Sequence, residues 1–218
     1  MQQQLTESTA NAEGTPIVRC EQRARRAGSY AKRTFDLILG LFLLPMLSVP
    51  MAAIAVAVKL TSKGSILYWS DRVGRNNRIF RMPKFRTMNL GTPEVATHLL
   101  RDPEAHLTII GSFLRKTSFD ELPQIYSVLK GDLSFVGPRP ALHNQNDLVA
   151  LRTERGVHAL IPGLTGWAQV KYPYGSTVEE AREKLKYDLY YIKNVSMLLD
   201  LWIIFQTVKT VLLGRGAR

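Results

Sequence analysis

From Phe35 to Val58 the chain reads FDLILGLFLLPMLSVPMAAIAVAV, a long apolar run whose only charge, Asp36, lies at its entrance. As a continuous helix rising about 1.5 Å per residue, the run would reach ~36 Å, enough to cross a hydrocarbon core of ~30 Å. Pro45 and Pro50 fall inside it. Each removes a backbone donor and crowds the preceding turn, which predicts a bend near Leu47 to Pro50. Ser48 stands at that bend, where its hydroxyl can satisfy a freed carbonyl. Both flanks are basic: Arg23, Arg25, Arg26, Lys32 and Arg33 precede the run, and Lys59, Lys63, Arg72, Arg75 and Arg78 follow it. A single crossing concentrates positive charge on its cytoplasmic side. The pattern therefore favours a re-entrant helix over residues 31–63, broken at Ser48 and Pro50, that dips into one leaflet and returns. A plain transmembrane anchor is the competing reading. A cleaved leader fits poorly, because the segment before the run is long and contains Glu7, Glu13 and Glu21.

Beyond the apolar run the periodicity shortens. SILYWSDRVGRNNRIFRMPKFRTM alternates brief apolar pieces with turns at Gly74 and Asn76-Asn77, predicting a small hairpin. Residues 93–116 read as helical, limited by Pro93 and Pro103. Residues 120–130 read as another helix, stopped by Gly131. LSFVG is extended and GPRP is a rigid loop. STVEEAREKLKYDLYYIKN starts a helix at a cap, Ser176 or Thr177, with Glu179 or Glu180 in the first turn. The last piece, SMLLDLWIIFQTVKTVLLGRGAR, is apolar on most sides but carries Asp200, Gln206 and Lys209 at the spacing of one polar stripe. With Trp202 near its middle and Lys209, Arg215 and Arg218 toward its end, it suits a helix in the interfacial plane, a buried core helix being the alternative. Residues 1–30 are polar and end in an Arg-rich patch, read as a disordered basic tail for anionic lipid. The fold class expected is α+β, mainly helical: a membrane-associated domain with one catalytic unit over 31–218, of which 64–218 is its cytoplasmic part.

Composition narrows the partners. At 218 residues the chain suits one domain, and its net charge of +11 calls for something anionic: nucleic acid, acidic lipid headgroups or phosphorylated small molecules. Nucleic acid is disfavoured, because such a binder needs no apolar loop through a leaflet and the aromatics form no base-stacking platform. A non-catalytic basic membrane scaffold, or a nucleic-acid-binding protein, is the rival class. Cys20 is the only cysteine, which excludes an intrachain disulfide, and the four histidines show no metal-binding spacing. There is no P-loop and no GxGxxG.

Candidate chemistry centres on SFDELPQ at 118–124, where Asp120 and Glu121 stand together just before Pro123. Helix capping accounts for them locally, with Asp120 as N-cap or Ser118-x-x-Glu121 as a capping box. A carboxylate at a helix start stays ionised, however, and the same spot can hold a phosphate oxygen. Around the pair the sequence supplies Lys84 and Arg86 in KFRTM, Arg115 and Lys116 in LRKTS, and Arg139 between Pro138 and Pro140. Prolines on both sides restrict the backbone, so the Arg139 fork can meet phosphate oxygens at little ordering cost. Together these residues suggest a diphosphate cradle. A carboxylate can attack a phosphate once cations or a metal neutralise the phosphate charge, forming an acyl phosphate.

KFRTM at 84–88, LRKTSFDELPQ at 114–124, GDLSFVGPRP at 131–140 and PGLTGWAQV at 162–170 closely resemble the bacterial sugar transferases, the monotopic polyprenyl-phosphate phosphoglycosyl transferases, over about residues 31–218. The resemblance implies an enzyme of the bacterial inner membrane, its catalytic part on the cytoplasmic face among anionic lipids. Such an enzyme transfers a sugar-1-phosphate from a UDP-sugar to undecaprenyl phosphate with Mg²⁺ and releases UMP. It implies Asp120 as the nucleophile, also holding the metal, with Glu121 assisting by proton transfer or metal support. Lys84, Arg86, Arg115 and Arg139 become phosphate ligands, and Gln124 orients substrate or holds the loop. A homodimer is an open expectation. The family's membrane helix breaks at an adjacent Ser-Pro, whereas here Ser48-Val49-Pro50 inserts a residue.

Overall fold

The computed structural model describes residues 30–93, 100, 102–172 and 178–212. The tail before Tyr30, the caps Ser176 and Thr177, and Arg215 and Arg218 lie outside the described residues. The first element, α1 (Tyr30–Thr61), is a helix running through the entire apolar stretch with Pro45 and Pro50 inside it. Ser48 and Pro50 therefore mark no interruption of helical structure, contrary to the sequence expectation. The Ser48 hydroxyl donates to the Pro45 carbonyl at 2.7 Å, a local side-chain bond between the two prolines.

Packing, not secondary structure, divides α1 into parts. At its start Lys32, Asp36 and Gly40 are buried, and Arg33 donates to the carbonyls of Val128 and Leu129 at 2.6 and 2.7 Å. Toward its end Val58 is buried with Phe85 and Leu114, flanked by Met51, Ile54 and Ala55. Between them Leu41, Phe42, Met46 and Val49 are exposed. Both ends of α1 thus rest on one body while its apolar middle stands clear.

That body starts with a hairpin. β1 (Leu67–Val73) pairs antiparallel with β2 (Ile79–Phe85), Leu67 opposite Phe85 and Val73 opposite Ile79. Asn76 and Asn77 take left-handed backbone angles in the connection, a conformation Asn tolerates better than most residues. The helix expected over 93–116 is, among the described residues, confined to α2 (Gly111–Thr117). The preceding segment spends its hydrogen bonds on a neighbour instead: Asn89 N–H donates to His106 and Thr108 N–H to Thr87. A 3-10 turn (Phe119–Gln124) and α3 (Ile125–Lys130) follow, and Gly131, in the left-handed region with its N–H on the Ser127 carbonyl, ends the helix as expected.

LSFVG is extended as expected, but its partner strand had no clear signal in the sequence. β3 (Ser134–Val136) runs parallel to β4 (Gly163–Thr165), with Ser134 opposite Gly163 and Val136 opposite Thr165; α4 (Asn146–Glu154) lies in the crossover. The glycines of PGLTG have a steric reason here. A Cβ on Gly163 would come within 2.1 Å of the Gly137 nitrogen, and one on Gly166 within 2.2 Å of the Gly137 oxygen. PGLTG and GPRP are therefore two sides of one backbone contact. Three helices complete the chain: α5 (Trp167–Lys171), α6 (Val178–Asn194) and α7 (Met197–Leu212). The mainly helical α+β class holds.

The main core joins Val136, Val157, Leu160, Leu185, Tyr191, Ile192 and Ile203. On α7 the expected polar stripe is corrected. Asp200 faces inward, accepting from Lys32 Nζ at 2.6 Å and from the Tyr191 hydroxyl at 2.7 Å, while Leu198, Leu201, Trp202, Phe205 and Val208 form the exposed side. Burial and the Asp200 charge push the Tyr191 phenol pKa far upward, so it remains the donor. Removing one partner of a buried ion pair strands the other. Lys32→Met is expected to lower unfolding free energy by about 3 kcal/mol in denaturant titrations, with Lys32→Met/Asp200→Leu recovering part of the loss.

Candidate active site

Three segments converge at the acidic pair. β2 supplies Lys84, the 3-10 turn lies against that strand, and the loop leaving β3 supplies Arg139. The capping interpretation of the pair is overturned. Ser118 takes φ +58° between α2 and the turn and makes no side-chain cap, and Asp120 lies inside the turn and not at its boundary. Three residues per 3-10 turn set neighbouring side chains about 120° apart, so Asp120 and Glu121 face different surroundings.

Glu121 receives the cations. One of its oxygens, Oε1, accepts from Lys84 Nζ at 2.7 Å and from Arg139 Nη2 at 3.0 Å. Burial alone would raise the Glu121 pKa. The Lys84 and Arg139 charges and their hydrogen bonds outweigh it and hold the carboxyl far below the usual carboxylate range. Asp120 is only 8% exposed, and neither of those bonds goes to it. Burial pushes its pKa from the ordinary 3.8 up to about 6. Lys84 opposes that rise, Glu121 adds to it, and Arg115 and Arg139 oppose it more weakly. The two neighbours thus differ in kind: one is a fixed anion that organises cations, the other an unusually basic carboxylate beside the same positive charge.

The backbone around Arg139 is secured atom by atom. Gly137 N–H donates to Thr165, and the carbonyls of Pro138 and Ala141 accept from the N–H groups of Gly163 and Val73. The Arg139 carbonyl accepts from Arg152 Nη1 at 2.6 Å, and that of Pro140 from Arg72 Nη1 at 3.4 Å. Sequence reasoning missed both arginines. Arg152 is a lone cation on α4, and no spacing ties it to a loop thirteen residues upstream.

Of the residues expected in the cradle, Lys84, Glu121 and Arg139 are in direct contact, with Asp120 and Arg115 within electrostatic reach. Arg86 is not among them. It is buried, donating from Nη2 to the Ser62 carbonyl at 2.9 Å and to its hydroxyl at 2.7 Å, so it braces the end of α1. β2 ends at Phe85, so Arg86 lies past the strand and does not share the face that alternation would give residues 84 and 86. Gln124 is buried, and its Nε2 has no hydrogen-bond partner among the described residues.

The model of the bacterial sugar transferases matches residues 27–214. The chain belongs to the bacterial sugar transferase family. Among its relatives, an Aeromonas hydrophila protein named UDP-N-acetylgalactosamine-undecaprenyl-phosphate N-acetylgalactosaminephosphotransferase is 38% identical over 87% of this chain and 45% of its own length. The sugar transferase EpsL of Bacillus subtilis is 40% identical over 85% of this chain and 89% of that protein. The exopolysaccharide production protein ExoY of Sinorhizobium fredii is 33% identical over 88% and 90% of the two chains. The chain spans less than half the length of the Aeromonas relative.

Magnesium takes oxygen ligands and is commonly held by one or two carboxylates together with substrate phosphates and water. No group of three or more candidate ligand side chains occurs among the described residues, and both cation bonds go to Glu121. Asp120 is the carboxylate that fits such an ion, as a single protein ligand.

The raised Asp120 pKa carries a stability consequence. The folded state holds this proton more tightly than the unfolded chain, so the group weakens the fold once it ionises. The cost is absent below pH 3.8 and complete above about pH 6. In metal-free buffer at pH 8, Asp120→Asn is expected to be more stable than wild type by up to ~3 kcal/mol, with the gain vanishing toward pH 4 in thermal melts.

Proposed function

We propose that this chain is a phosphoglycosyl transferase that moves a sugar-1-phosphate from a UDP-sugar to undecaprenyl phosphate, and that Asp120 is its nucleophile. The observation that carries the reading is the division of labour in the acidic pair. Lys84 and Arg139 are fixed on one Glu121 oxygen, and Asp120 is left buried and basic beside them. A nucleophile with pKa about 6 is ionised at neutral pH yet more electron-rich than an ordinary carboxylate. The names of the relatives support the substrates.

In the first step an Asp120 oxygen forms a bond to the sugar-bearing phosphorus. The bond from that phosphorus to the bridging oxygen breaks, and UMP leaves with the electron pair. The enzyme then holds an acyl phosphate bearing the sugar. In the second step a phosphate oxygen of undecaprenyl phosphate attacks the same phosphorus and the aspartyl oxygen departs as carboxylate, giving the lipid diphosphate sugar. Lys84, Arg115 and Arg139 offset the negative charge that would otherwise repel each anionic attacker. Glu121, held strongly ionised, is a poor proton carrier, and its role is to keep Lys84 and Arg139 in place. Mg²⁺, when bound through Asp120 and substrate phosphates, would add charge neutralisation at the diphosphate.

The same reading gives α1 a task. Its two ends grip one body and its exposed middle is apolar, which favours a helix that enters one leaflet and returns over a crossing that would part the ends. The lipid acceptor stays in the bilayer, since extracting it costs ~0.8 kcal/mol per CH₂, and the soluble donor meets it at the cytoplasmic face of the inner membrane.

Asp120→Asn is expected to lower UMP release by about 10³-fold or more while the protein stays folded, and wild type mixed with UDP-sugar alone should carry a sugar-phosphate mass on the peptide containing Asp120. Substantial turnover by the variant, or product formation without that adduct, would refute the nucleophile. Cysteine labelling in intact cells should find Tyr30 and Lys209 positions both protected from external reagent.

A further inference from the structure

Arg152 and Asp188 lie behind the candidate site, on α4 and α6, and neither touches the acidic pair in any recorded bond. Asp188 is almost wholly buried, and Arg152 Nη2 donates to its Oδ2 at 3.0 Å. The other arm of the fork, Nη1, reaches the Arg139 carbonyl at 2.6 Å. Arg152 Nε is buried with no partner among the described residues, where the guanidinium is held by these two directions. Arg139 in turn donates to Glu121.

We propose that the Arg152–Asp188 pair is a positioning device for the phosphate-binding arginine, holding the Arg139 backbone at the height from which its guanidinium reaches both Glu121 and the donor diphosphate. This deepens the transferase reading and rests on it.

Three arguments support the assignment. Prolines on either side fix φ at 138 and 140, so the remaining freedom of the loop is rigid-body movement, and the carbonyls along it are the handles that restrain such movement. Of the two loop carbonyls that accept from arginines, that of Arg139 has the shorter bond, and charge-assisted bonds are about twice as strong as neutral ones. Burying Asp188 is costly by itself: desolvation raises its pKa even with Arg152 opposing the rise. That cost holds the arginine at one spot, because leaving it would strand the carboxylate. Arg72, at 3.4 Å from the Pro140 carbonyl, gives weaker support. A lysine could satisfy one acceptor but not both, since it lacks the fork.

The test is a double-mutant cycle on purified full-length enzyme with UDP-sugar and undecaprenyl phosphate. Arg152→Met is expected to reduce kcat/KM by on the order of 10- to 100-fold, chiefly through KM for the UDP-sugar, and Arg152→Lys to restore only part of it. In an Arg139→Ala background the same Arg152→Met change should cost less than about threefold, because the group it positions is gone. A purely structural role predicts the full loss in both backgrounds, and that result would overturn the proposal; so would wild-type kcat/KM in Arg152→Met. If Arg152→Met fails to fold, Asp188→Asn in the same cycle decides by the same criteria. A readout free of turnover separates failure of this inference from failure of the transferase reading: the Arg139 Nε–H signal in ¹⁵N-labelled protein, assigned by its loss in Arg139→Lys. It should shift in Arg152→Met, and an unmoved signal overturns the positioning role.

Discussion

The buried meeting of Lys32, Asp200 and Tyr191 is the constraint on which the remaining architecture depends. It joins the start of α1, the end of α6 and the inner face of α7 through two bonds to one carboxylate. Asp36, one turn further along α1, accepts from the Phe135 backbone and so ties β3 to the same place. Buried ions are expensive unless fully paired, and this arrangement is tolerable only when the three elements meet in one register. From β3 the chain passes directly into Gly137 and the proline-flanked arginine. The path from the buried Lys32 to Arg139 is thus covered by a few paired elements.

Within the site, opposite characters have been given to adjacent residues of the same chemical class. A helical N-terminus would have offered both carboxylates similar free N–H groups. The 3-10 turn instead directs Glu121 to two cations and Asp120 into a nearly closed position. Pairs of titratable groups whose surroundings push their pKa values apart are the usual sign of divided chemical roles. Here one acid holds two cations, and the other is a buried carboxylate whose pKa is raised to about 6.

Much of this was legible beforehand, for identifiable reasons. The apolar run, the hairpin and the Gly131 stop are local features, written in composition, turn residues and left-handed backbone geometry. The grouping of Lys84, Asp120, Glu121 and Arg139 was legible through recurring motifs. Burial and partnership were not legible. Asp200 looked like part of a solvent stripe, and only the arrival of Lys32 from 168 residues away turns it inward. Arg86 resembled its neighbour Lys84, yet the end of α1 claims it. The prolines of α1 predicted a break, but a helix can lose single donors and continue, as this one does through Pro45 and Pro50. The parallel β3–β4 pair is too short to show a period of two, and its real signature, glycine on both sides of a backbone contact, reads as turn chemistry in a single sequence.

The separation between Lys32 and Asp200 also has a temporal meaning during biosynthesis. At about 5–20 residues per second, a ribosome needs roughly 10 to 30 s to travel the 168 positions between them. Throughout that interval the nascent apolar helix exists without its electrostatic clasp. Assembly of this protein consequently waits on the segment that carries Asp200.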